Sequence, residues 1–191
     1  MRLENQPRPA EKRDFTGDHA VRSYQAAPGS LYTAEERQRR DSTVWTLVQG
    51  VLAPVQFFIF LGSLALVVRY LVTGEGAFAA DVSIIVKTLT LYTIMITGSI
   101  WEKVVFGKWL FAPAFFWEDA VSMLVLALHT GYLVMLLGGI GSIEARMGVA
   151  LGGYGAYVIN AGQFLWKLRV ARLQGALNTE SQRPNGLAVA S

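Results

Sequence analysis

The chain has 191 residues, of which 52% are hydrophobic and only 16% charged. A soluble domain carries about 25% charged residues, so this composition points away from one. The absence of cysteine excludes disulfides, thiolate metal sites and cysteine nucleophiles. A net charge of +3 does not indicate nucleic acid, because the basic residues flank apolar segments and form no stripe.

In chain order, residues 1–30 mix charges without periodicity and read as a disordered tail. The first 43 residues hold no apolar stretch, so no signal peptide is expected. Thr33 with Glu36 three residues on predicts a capping box. The segment TAEERQRRDSTVW is then a short amphipathic helix leading to a membrane.

Four apolar runs follow, over 44–72, 82–101, 114–137 and 147–166. Each reaches the roughly 20 residues a helix needs to cross a ~30 Å hydrocarbon layer. Backbone groups cannot stay unpaired in lipid, so the runs are predicted as helices. The expected fold is all-α: an integral membrane bundle of four transmembrane helices over 31–172, with a disordered tail over 173–191.

Charge sets the orientation. Arg37, Arg39, Arg40, Lys103, Lys108, Lys167, Arg169 and Arg172 fall on one side. Arg69 and Arg146 fall on the other. Eight against two places both termini in the cytoplasm of a bacterial inner membrane. Trp45, Trp101, Trp109, Trp117 and Trp166 then lie near the cytoplasmic interface as an aromatic belt.

Polar residues inside a membrane are functional candidates. On the third span, Glu118, Ser122, Val125, His129 and Tyr132 share one helical face, with Asp119 about a quarter turn away. Glu118 and His129 are ~16 Å apart along the axis, so they cannot touch but can look into one cavity. The first span offers Gln49, Gln56 and Ser63 at seven-residue spacing. The second offers Lys87, Thr90, Thr93 and Thr97, then Trp101 and Glu102. The fourth offers Tyr157, Asn160 and Gln163. Four inward stripes make a polar pocket.

Plainer readings stand beside these. The threonines suit hydrogen bonds to their own helix. The amides suit cross-helix bonds, and Lys87 suits snorkelling to the surface. Gly138, Gly139 and Gly141 form a turn rather than a nucleotide loop. A flat amphipathic substrate, an ion path or a quinone all fit such a pocket, and acid–base chemistry fits better than redox chemistry.

The blocks WTLVQGVLAPVQF and WEKVVFG-x-x-LFAPAFFWED carry a specific resemblance. Over about Leu31 to Gly139 the chain resembles the vinyl hydratase family of bacteriochlorophyll biosynthesis. The resemblance implies addition of water to the 3-vinyl group of a chlorophyllide or bacteriochlorophyllide, giving a 3-(1-hydroxyethyl) group. It implies a tetrapyrrole substrate and no cofactor.

Hydration in this sense needs an acid to protonate the terminal vinyl carbon and a base to assist water. A low-dielectric site favours the neutral carboxyl that can donate. Glu118 is therefore the expected donor and Asp119 the base, with their roles open to reversal and Glu102 a third candidate. His129 is a candidate axial ligand to the substrate's magnesium, with no metal site of the protein's own. Lys103 and Lys108 are expected on the substrate propionate, Gln49 and Gln56 on water or a ring carbonyl. Trp101, Trp117, Phe115 and Phe116 offer faces for the macrocycle. A homo-oligomer and contact with neighbouring pathway enzymes stay open, as does a non-catalytic pigment-binding or assembly protein. A proton-coupled transporter would need acids nearer the midplane.

Overall fold

A computed structural model describes residues 31–181; the tail expected over 1–30, and residues 182–191 of the tail expected over 173–191, lie outside the described residues. The described residues form five helices: α1 Ala34–Ser42, α2 Val44–Thr73, α3 Ala77–Phe106, α4 Phe116–Leu137 and α5 Ile143–Ser181. No strand occurs among them.

The capping box is present. The Glu36 amide donates to Thr33 Oγ1 at 3.1 Å, and the Thr33 amide donates to Glu36 at 2.8 Å. The helix it starts differs from expectation. α1 is polar throughout, buries none of its residues and stops at Ser42. Thr43 turns extended there and caps α2 through a bond from the Trp45 amide. The apolar anchor lies just before α1, where Tyr32 packs with Val105 and Phe115.

Three helices, α2, α3 and α4, are long and apolar enough to cross a membrane. α5 is longer than any of them, yet its middle is diluted by five glycines, Asn160 and Gln163. It continues to Ser181, so no helix end marks the domain boundary expected at residue 172.

Two antiparallel hairpins result. Gly74 and Gly76, both at positive φ, turn α2 into α3. Gly139 and Gly141, also at positive φ, turn α4 into α5. Helices pack intimately within each hairpin, whereas contact between the hairpins is sparse. The seam is stitched by a few specific pairs. Tyr154 and Ser63 hydroxyls meet at 2.5 Å, the Tyr132 hydroxyl donates to Asp81 at 2.5 Å, and Phe60 and Tyr157 rings sit 4.9 Å apart.

Polarity is inverted relative to a soluble bundle. Phe58, Val72, Phe78 and Leu137 are each at least 70% exposed, while Gln56, Lys87, His129 and Asn160 are buried. An apolar exterior around a polar interior suits lipid as solvent. Packing rather than water expulsion must then hold the helices together. Gly153 shows the tolerance. A methyl group added there would come within 2.9 Å of His129 Cε1, and that ring is held by its 2.8 Å contact with the Val125 carbonyl. Gly153→Ala is expected to destabilise the fold by about 1–3 kcal/mol, measured as thermal unfolding in detergent micelles.

Candidate functional site

The acids gather at one end of the bundle, where both hairpins contribute. Glu102 closes the last turn of α3, and Glu118 and Asp119 open α4. All three are buried, at 5%, 7% and 4% exposure. They face the protein interior and not the surrounding lipid.

The connection between α3 and α4 explains how. Gly107, at φ 76°, ends α3, and its amide returns to the Lys103 carbonyl. The chain then folds back over the helix ends. The Phe111 amide donates to Asp119 Oδ2 at 2.8 Å, and the Ala112 amide donates to Glu102 Oε2 at 3.2 Å. Phe111 holds φ 58°, a left-handed backbone that a bulky residue adopts only at a cost. The loop is thus bent so that its amides meet two buried carboxyls. The Glu102 and Asp119 side chains thus meet the same loop, one from each hairpin.

Glu118 has a different partner. Lys167 Nζ from α5 sits 2.5 Å from Glu118 Oε2 and also donates to the Ala114 carbonyl. One turn deeper, Asn160 Nδ2 donates to Ser122 Oγ at 2.5 Å. Lys167 belongs to this cluster, although the sequence reading used it only for orientation. The spacing Asn160, Gln163, Lys167 puts it on the polar face of its helix, and that was the available signal.

The other expected site residues divide. Gln49 Nε2 donates to Thr97 at 2.8 Å and so ties α2 to α3. Trp101 Nε1 donates to Thr46 at 2.9 Å, and its ring packs edge-on against Phe106 and Phe115. Trp101 and Phe115 therefore take part in the packing around Tyr32. Trp117 and Phe116 remain on the surface, edge to face with each other, and Phe116 also packs against Phe111. Lys103 donates to the Gly107 carbonyl at 2.9 Å and Lys108 is exposed.

Thr90, Thr93 and Thr97 bond carbonyls of their own helix, as their spacing suggested. Lys87 does not reach the surface. It is wholly buried, with its Nζ 3.8 Å from the centre of the Tyr157 ring. Gln56 and His129 are each 1% exposed. His129 Nδ1 faces the Val125 carbonyl, which can only accept, so Nδ1 carries the proton and Nε2 is a bare acceptor.

A small cleft of about 280 Å³ opens beside the acid loop, lined by Leu31, Glu36, Phe106, Pro113 and Ala114. It lies at the lower limit of the ~300–1,000 Å³ typical of organic ligands.

The profile of the 2-vinyl bacteriochlorophyllide hydratases matches residues 32–170. A protein of that name from Rhodobacter capsulatus is 65% identical over 147 residues, covering 77% of this chain and 85% of the relative. Another, from Cereibacter sphaeroides, is 65% identical over 143 residues, covering 75% and 89%. No solved structure matches the chain. The match takes in α1 through most of α5, with the acid loop and every buried polar residue described above, and the chain belongs to the 2-vinyl bacteriochlorophyllide hydratase family.

Proposed function

We propose that the Glu102–Asp119 pair protonates the vinyl group of a chlorophyllide or bacteriochlorophyllide and so performs the hydration for which the family is named. The chain is a hydratase, a hydro-lyase by reaction class. The carrying observation is the buried carboxyl pair where the two hairpins meet.

The step balances within that pair. The pair's proton goes to the terminal vinyl carbon, and the cation forms on the carbon attached to the macrocycle, which delocalises it. Water adds its oxygen to that carbon. Its proton passes to the carboxylate just vacated, and the pair is restored. General acid–base help of this kind contributes roughly 10²–10⁴-fold. Glu118 takes a second role. Its carboxyl is engaged by Lys167, which suits it to stabilise the cation and orient water rather than to donate. The donor thus moves from Glu118 to its neighbour.

The membrane setting follows the same reading. α5 runs beside α4 for the depth of the bundle, with Asn160 against Ser122 and Gly153 against His129, and is the fourth span. Both termini lie on the cytoplasmic side of a bacterial inner membrane, where Lys103, Lys108, Lys167 and the arginines of α1 gather. The exposed Phe111, Phe116 and Trp117 rings beside the acids give a lipid-dissolved pigment a place to land.

The test is direct. Membranes containing the protein, given 3-vinyl chlorophyllide a, should yield a pigment heavier by one water. Oxygen-18 water should label the new hydroxyl. A pigment that binds and returns unchanged would show a carrier instead.

A further inference from the structure

The deepest part of the bundle holds polar atoms for which the acid chemistry has no use. Gln56 Oε1 and Nε2, Lys87 Nζ and His129 Nε2 are all buried without a hydrogen-bond partner. Each side chain is at most 1% exposed. Unpaired polar groups at this depth are costly, and an unpaired ammonium most of all.

These atoms share a place. Gln56 and Lys87 come from the first hairpin, His129 from the second. Aromatic rings link them across the seam. Lys87 Nζ lies 6.0 Å from the Phe60 ring and 3.8 Å from the Tyr157 ring. Phe60 in turn packs on Tyr154, whose ring is 5.8 Å from His129. Gln56 is one turn from Phe60 on the same buried face. The orphaned atoms therefore line the sparse contact between the hairpins, the easiest surface in the fold to part. The Glu102–Asp119 pair sits at the mouth of the same seam. Asp119 and His129 are ten residues apart on α4, about 15 Å along the axis.

Its chemistry is specific. Lys87 is a buried amine with no acid paired to it among the described residues, flanked by aromatic faces. What it lacks is an anion carried on a flat apolar body. Such a ligand would slide between the hairpins, pair with the ammonium and stack on Tyr157. The substrate fits that description, since a chlorophyllide bears one free propionate on a macrocycle.

We infer that the seam between the hairpins is the macrocycle slot, with the substrate's carboxylate bound by Lys87 and its vinyl edge held at the Glu102–Asp119 mouth. This rests on the hydratase reading and deepens it. It moves the carboxylate contact from Lys103 and Lys108, at the surface, to Lys87 in the interior. A surface lysine in water would give such a pair little energy, whereas a desolvated one gives a charge-assisted bond.

The experiment compares binding of 3-vinyl chlorophyllide a with binding of its methyl ester, by absorbance titration of the detergent-solubilised protein. The ester is the same macrocycle without the charge. The wild type should bind the free acid roughly 10- to 100-fold more tightly. Lys87→Met should bring the two affinities together by weakening the acid alone, whereas Lys103→Met with Lys108→Met should leave the preference intact. Lys87→Arg should keep most of it. A wild type that binds acid and ester alike would overturn the inference without any variant. So would a preference that survives Lys87→Met or disappears with the surface lysines. Hydration is scored separately on the same samples, so a protein that binds as described but never hydrates would sink the catalytic reading and leave the slot standing.

Discussion

Asp119→Asn is expected to lower the hydration rate by roughly 10²–10⁴-fold while pigment binding survives. The amide keeps the shape of the side chain, and its oxygen still accepts from the Phe111 amide that now bonds Asp119 Oδ2. What it loses is the transferable proton. Glu102→Gln should cost about as much for the same reason. The double variant should be little worse than either single one, because the two groups act as one donor and their effects do not add. Glu118→Gln should hurt less, since its carboxylate is engaged by Lys167. Initial rates with a fixed pigment concentration, beside absorbance titrations of binding, check all four variants. A Glu118→Gln variant that is dead beside an active Asp119→Asn variant would return the donor role to Glu118.

Lys167→Met is expected to cost on the order of 3 kcal/mol of stability. The substitution leaves Glu118, whose side chain is 9% exposed, without its cation. It also strips the Ala114 carbonyl of its donor and removes an ammonium 4.8 Å from the Phe115 ring. Lys167 itself is 22% exposed, which places the loss toward the lower end for a buried pair. Adding Glu118→Gln should recover most of it, because the penalty is that of a stranded charge rather than of a missing attraction. Thermal unfolding of the four combinations gives the coupling directly. If Lys167→Met alone leaves the melting temperature unchanged, the ion pair is peripheral.

Much of this was legible in the residue pattern. Helical spacing put Glu118, Ser122, Val125, His129 and Tyr132 on one face, and these five are buried together with Asp119. Seven-residue spacing put Gln56 and Ser63 on one buried face of α2. Thr33 with Glu36 gave the capping box. These are local properties, fixed by 3.6 residues per turn and by which side chains can cap a helix. Ala34–Ser42 itself contains almost nothing apolar to bury, and the apolar contact at this end comes from Tyr32 just before it.

Partners were not legible. Trp101 and Trp117 look alike in sequence, yet one is bonded to Thr46 inside a packed cluster and the other lies on the surface. Lys87, for which an inward stripe and snorkelling to the surface both stood open, is buried over Tyr157. Lys167 counted as one more basic residue near a span end and is the counter-ion of Glu118.

The sequence by itself determined that this chain is helical, apolar outside and polar within, and which side chains turn inward, because periodicity and composition act through neighbours a few residues away. Only the tertiary structure decided that Glu102, a hairpin apart from Asp119, shares its pocket, and that Lys87 is left without an anion. Those outcomes depend on how two hairpins lie against each other and on a loop bent back through Phe111, and residues far apart in the chain carry no mark of the distance between them until the chain is folded.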